Sequence, residues 1–241
     1  MALFFTEEII SEKFEITGED ARHISKSLRM TKGEKLTMCT SDGKRHECEI
    51  VDFTADSVVV NVLSSTECEQ EPSVKITLFM ALTKGDKMDD IVQKSVELGV
   101  YDIVPVLTAR CISRPDEKQI KKKIARWQKI SDNAAQQSRR GIKPKVRDLV
   151  TLKTAADMID TFEKAIVFYE CGGEKIRDTV SDKTKSLAMF VGPEGGFEEA
   201  EIELLKQNDV TPATLGSRIL RAQTAPIAGI AAVMYQTKNL E

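Results

Sequence analysis

Val191-Gly192-Pro193-Glu194-Gly195-Gly196-Phe197 and, further along, Leu215-Gly216-Ser217-Arg218-Ile219-Leu220-Arg221 are the stretches on which the reading of this sequence turns. Each closes a short apolar run, Leu187–Val191 and Ala213–Leu215, and each leads to a segment with helical spacing, Glu198–Gln207 and Pro226–Tyr235. That pattern predicts loops running from the carboxyl end of a strand into a helix. A further strand, Ala165–Tyr169, ends at Phe168-Tyr169-Glu170. Ligands of open parallel sheets sit at the carboxyl ends of strands. Glycine there lets the backbone approach a ligand closely and exposes N–H groups. Taken singly, each loop reads first as a tight connection. Three in series at one sheet edge mark a binding site.

Upstream the same alternation continues. Val74–Leu82 reads as an apolar strand, and Lys87–Leu98 has helical spacing stopped by Gly99. Ile103–Leu107 is the next strand, a long basic helix covers about 116–139, and another helix lies near Thr154–Phe162. Strands alternating with helices imply a mainly parallel α/β sheet. Before Pro72 the pattern differs. Leu36–Thr40, the turn Ser41-Asp42-Gly43-Lys44, Glu47–Phe53 and Ser57–Leu63 read as β-strands, with one short helix over Gly18–Leu28. The polar stretch 67–73 separates the two regimes, so the expected domains are 1–72, a small β-barrel, and 73–241, the α/β domain.

Hydrophobic residues make up 41% and charged residues 30%, the balance of a soluble globular protein. No apolar run approaches the roughly 20 residues of a membrane span, and the N-terminal residues have no signal-peptide pattern, so a cytoplasmic location is expected. The cysteines, Cys39, Cys48, Cys68, Cys111 and Cys171, form no C-x-x-C pair and read as free thiols. Both histidines, His23 and His46, lie early and lack clustered partners, so no metal site is expected. Net charge is −3, yet between Lys118 and Arg147 eleven Lys and Arg stand against the single acid Asp132. That local excess of +10 suits either a polyanion-binding surface or a solvated helix face. No Walker loop or G-x-G-x-x-G occurs, and Pro193 removes an N–H that a phosphate would use. A G-x-S-x-G hydrolase is excluded as well, because no histidine follows His46.

The two glycine stretches, continued through Ala222-Gln223-Thr224-Ala225, resemble the knotted (SPOUT-type) RNA methyltransferases, most closely the RsmE type acting on N3 of a uridine in small-subunit ribosomal RNA. Supporting stretches are Lys84–Asp89, Lys94–Val100, Arg126-Trp127, Gln137–Arg140 and the His23…Arg29 spacing of H-x-x-x-x-L-R. The resemblance runs almost end to end. It implies a PUA-like β-barrel, an α/β domain with a C-terminal trefoil knot, S-adenosylmethionine as cofactor, 16S rRNA within the small subunit as partner, and a homodimer. It also implies which residues line the donor site: Tyr169, Glu170, Gly192, Pro193, Gly196, Leu215, Gly216, Ser217, Ile219, Leu220 and Arg221.

Methyl transfer to uracil N3 requires loss of its proton, and a tuned carboxylate can take it. Glu170 and Glu194 are the candidates, with Arg221 stabilising charge on the uracil oxygens. Helix capping is the alternative role for Glu194. His23, Arg29, Arg110, Arg114, Arg139 and Arg140 are the expected RNA contacts, made largely to phosphates. The sequence departs from the family pattern at Leu3, in place of an arginine, and at Gln136 and Gln223, in place of acids. Two alternatives stay open: a knotted methyltransferase acting on tRNA or ribose, and an RNA-binding assembly factor without catalysis.

Overall fold

The computed structural model describes residues 1–69 and 71–240. The chain forms two compact units, residues 1–71 with 135–143 and residues 72–134 with 144–241.

The first unit contains strands β1 (Ala2–Thr6), β2 (Lys13–Thr17), β3 (Lys35–Thr40), β4 (Lys44–Phe53) and β5 (Ser57–Glu67), with helix α1 (Gly18–Arg22). The sheet order is β1-β3-β4-β5-β2. β1 runs parallel to β3, and the other pairs are antiparallel. Burial along β4 alternates, with His46, Cys48 and Ile50 inside and their neighbours half-buried, the period-2 signature of a sheet with one face in a core. His46 is a satisfied core residue whose ring nitrogens meet Thr40 Oγ1 at 3.1 Å and Ser65 Oγ at 2.7 Å. Burial depresses its pKa. The helix expected over Gly18–Leu28 widens after Arg22 into a π turn, His23–Ser27, in which the Leu28 N–H donates to the His23 carbonyl at 2.9 Å. β1 and β2 carry too few residues to declare a period on their own, and the pairing partners define them.

The second unit contains β6 (Lys75–Ala81), α2 (Lys87–Glu97), β7 (Asp102–Leu107), α3 (Glu117–Gln137), β8 (Lys145–Val146), β9 (Val150–Thr151), α4 (Leu152–Ala156), β10 (Lys164–Phe168), β11 (Glu174–Lys175), α5 (Ile176–Thr179), β12 (Ser186–Val191), α6 (Glu199–Gln207), β13 (Thr211–Thr214) and α7 (Thr224–Gln236). The last residues of α3 and the loop behind it belong to the first unit. The sheet order is β11-β13-β10-β12-β6-β7-β8, with β9 also beside β7. Every pairing in it is parallel. Its central strands are unbroken apolar runs, Ile76–Ala81 and Leu187–Val191, as both-face burial requires. Phe79 and Phe190 stack at 4.5 Å between ring centroids. Gly99 ends α2 with φ +100, a conformation open to glycine at little cost.

Candidate functional site

The strand order decides the site. β10 lies between β13 and β12, pairing Phe168 with Ala213 on one side and Val167 with Phe190 on the other. Loops that leave these three strands at their carboxyl ends are therefore neighbours, although up to about fifty residues of chain separate them. Between them lies a cavity of about 900 Å³. Tyr169, Glu170, Gly192, Pro193, Glu194, Gly196, Leu215, Gly216, Ser217, Ile219, Leu220 and Arg221 all line it. Every residue expected at the donor site thus faces one space. Gln223 is in the wall too, as a neutral amide.

Two contacts hold the 192–197 loop. Glu194 Oε1 accepts from Lys87 Nζ at 2.6 Å and from the Lys84 N–H at 3.1 Å. On the other side, Arg110 Nη1 donates to the Gly195 carbonyl at 2.8 Å, and its aliphatic stem lies over Gly195. Burial pushes the Glu194 carboxyl upward. The Lys87 ammonium, with N–H groups of Glu194 itself and Lys84, outweighs burial and holds the group below the ordinary carboxylate value. Capping of α6 falls instead to Glu198, which exchanges bonds with Glu201 in a capping box. The expectation that Glu194 caps this helix is corrected: Gly195, Gly196 and Phe197 separate it from the cap at Glu198, and its carboxylate turns to Lys87.

Gly196 has φ +68, and a Cβ there would run into the Glu170 carboxylate. Glycine at this position is a condition for Glu170 to lie where it does. Among the described residues Glu170 makes no ion pair, unlike Glu194. The neighbouring Tyr169 phenol is raised above its ordinary pKa, first by hydrogen bonding with the Cys171 thiol and then by desolvation. Below the cavity, Gly229 of α7 lies against the Phe168 ring so closely that any side chain there would overlap it. No group of three or more His, Cys, Asp or Glu suited to a metal ion occurs among the described residues.

Comparison with known proteins now bears on this geometry. The RNA methyltransferase domain profile matches residues 69–234, and the RNA methyltransferase PUA domain profile matches residues 16–63. A ribosomal RNA small subunit methyltransferase E of Bacillus subtilis is 37% identical over 234 residues, covering 94% of this chain and 91% of its own. The chain belongs to the ribosomal RNA small subunit methyltransferase E family. The homologue of Aquifex aeolicus is 29% identical, with 97% of this chain and 99% of its own covered. A crystal structure of the Neisseria gonorrhoeae methyltransferase E bound to S-adenosylmethionine superposes with a TM-score of 0.88 at 32% identity, covering 98% of this chain and 97% of that one.

The residues expected to meet RNA in this methyltransferase E family member are more scattered in their surroundings. His23, Arg29 and Arg139 are exposed, with His23 edge-on to Phe4 at 6.1 Å. Arg114 donates to the Ala109 carbonyl at 2.9 Å, and Arg110 grips Gly195. Arg140 requires correction. It is buried, and its guanidinium makes a two-point contact with Glu71 at 2.9 and 2.7 Å. A cation so enclosed holds the fold and is not presented to a phosphate. Two departures from the family pattern meet each other: Gln136 Nε2 donates to the Leu3 carbonyl at 2.5 Å, and Leu3 is buried. Neither lines the cavity, so Gln136 removes no carboxylate from its wall. Lys87 also lines the cavity, although the sequence reading gave it no site role. Lys87 had a signal: it lies within Lys84–Asp89, one of the stretches that carry the family resemblance.

Proposed function

We propose that the chain transfers the methyl group of S-adenosylmethionine to N3 of a uridine in 16S ribosomal RNA, as a cytoplasmic homodimer acting at the small ribosomal subunit. The observation that carries this reading is the convergence of three strand-end loops on one cavity, in a chain that matches a methyltransferase E relative over 94% of its length. The cavity volume of about 900 Å³ suits a cofactor-sized ligand. Its wall combines apolar residues such as Phe168, Phe197, Leu215 and Leu220 with the charged Glu170, Glu194 and Arg221, a mixture that suits an adenosine joined to a charged amino-acid part.

When bound, S-adenosylmethionine supplies an electrophilic methyl group on a sulfonium. Backbone groups of Leu215, Gly216, Ile219 and Leu220, which line the cavity, would hold its adenosine part. Tyr169, Gly192, Pro193, Gly196 and Ser217 complete the wall and exclude water. Glu170 takes the N3 proton: its carboxylate lines the cavity and, among the described residues, makes no ion pair, whereas that of Glu194 is bonded to Lys87. A general base works best with a pKa near the operating pH, and Glu194 is displaced away from it. Glu194 positions the loop. Arg221 stabilises the charge that develops on the uracil oxygens. We assign methyl transfer to 73–241 and RNA contacts to both domains, with His23 and Arg29 of the domain over 1–72 and Arg110, Arg114 and Arg139 of 73–241 contacting the backbone. Ile219 and Tyr235, 86% and 71% exposed, are apolar surface consistent with a dimer.

Nucleoside mass spectrometry tests the reaction. Purified protein, labelled S-adenosylmethionine and small subunits from a strain lacking this gene should yield N3-methyluridine. Label found only on another base or on ribose, or no label at all, overturns it.

A further inference from the structure

The basic excess between Lys118 and Arg147 is not one uniform surface. Arg126 pairs with Asp89 and lies 3.8 Å from Asp86. Lys121 bonds Glu117 at 2.6 Å, Arg140 is enclosed with Glu71, and Arg147 bonds Asp102 at 2.7 Å. Lys123 lies over the Trp127 ring. On α3 that leaves Lys118, Lys122 and Lys129, all exposed and, among the described residues, without an ion-pair partner. At 3.6 residues per turn these three fall within about 40° of one another around the helix. Trp127, Ser131 and Ala134, which are buried, occupy the opposite side. The helix acid beyond Glu117, Asp132, is bonded to Gln128 Nε2 at 2.8 Å.

We propose that Lys118, Lys122 and Lys129 form a phosphate-contacting stripe for the RNA substrate; this rests on the reading of the protein as an RNA methyltransferase. A rise of 1.5 Å per residue sets the first two about 6 Å apart along the axis and the last two about 10.5 Å apart. These spacings are comparable with those of phosphates along a nucleic-acid strand. Point-like ammonium groups on flexible stems suit backbone contacts that position RNA without reading its sequence. The opposite face anchors the stripe to the cavity wall: Trp127 Nε1 donates to Asp89 at 3.1 Å, and Asp89 lies two residues after Lys87, which lines the donor cavity. RNA held on the stripe is thereby held in a defined relation to the donor.

The test measures affinity of the full-length protein for a 16S rRNA transcript between about 50 and 200 mM salt, the range in which ionic contacts separate clearly. The K118Q/K122Q/K129Q variant should flatten the slope of log affinity against log salt by about 2, since each phosphate contact contributes roughly 0.7 to 0.9. A K153Q/K164Q/K183Q variant removes equal charge from exposed positions elsewhere and should keep the slope. Donor affinity by calorimetry should be the same in both variants, which reports intact folding of the cavity. Equal slopes for the two variants, or a loss of affinity independent of salt, overturn the stripe. If the wild type shows the stripe-dependent slope but transfers no methyl group, the enzymatic reading fails and the stripe stands.

Discussion

Glu194 and Glu71 make the same pattern of contacts in two different surroundings. Each accepts from a side-chain cation and from a backbone N–H: Glu194 from Lys87 and Lys84, Glu71 from Arg140 and from Gly141 at 2.8 Å. The two carboxylates are similarly half-buried, Glu194 at 26% and Glu71 at 21%; it is the cations that differ, Lys87 retaining 36% of its exposure and Arg140 only 4%. The enclosed Arg140 guanidinium has little water to take a lost partner's place, so that pair belongs to the fold. Around Glu194 water and ligand both have access, so that pair adjusts a loop. The contact pattern alone does not say whether an ion pair serves structure or function; the solvent around it does.

The comparison can be broken at its strongest point by turnover. E170Q should lower the methylation rate by about 10²- to 10⁴-fold, the range for loss of a general base. E194Q should cost roughly tenfold, through the donor's KM more than through kcat. Equal losses in kcat would assign proton transfer to both carboxylates and erase the distinction. The Arg140 pair comes next. R140A should destabilise the fold by about 3 kcal/mol, because it strands Glu71 in a partly buried site, and urea denaturation measures this. An unchanged midpoint, with weakened RNA binding instead, would restore Arg140 to the RNA surface.

G196A should cost about 1–2 kcal/mol for its left-handed backbone, in addition to the overlap with Glu170. Calorimetry should find donor affinity reduced at least tenfold, and undiminished affinity would remove Gly196 from the site. The smallest effect concerns pH. The Glu194 carboxyl is held below its ordinary value of 4.5, so its share of stability is complete above that value and is lost as pH falls through the lower, folded one. Urea midpoints of wild type should therefore fall more than those of E194Q on acidification below 4.5. The difference will be slight, because solvent screens the pair. An identical acid response in the two proteins would mean that the Lys87 contact does not form in solution.

Much of this molecule was legible before any coordinates. Apolar runs placed β10, β12 and β13, the last two closed by glycine, and helical spacing placed α2, α6 and α7, because burial on one face leaves a period in the sequence. Motif resemblance, resting on Gly192–Gly196 and Gly216–Arg221, named residues that all line one cavity. Other features depended on partners distant in the chain. That β10 lies between β12 and β13 follows from parallel crossovers, which leave no local trace, and it is this order that merges three loops into one cavity. Arg140 looked the same as Arg139 in a basic run, yet Glu71, 69 residues earlier, takes it into the interior. Lys118, Lys122 and Lys129 were indistinguishable from Lys121 and Arg126 until the acids facing each cation were known. Sequence determines which groups exist and which face of an element is apolar; tertiary structure alone decides which charges are already neutralised, because neutralisation is a property of pairs.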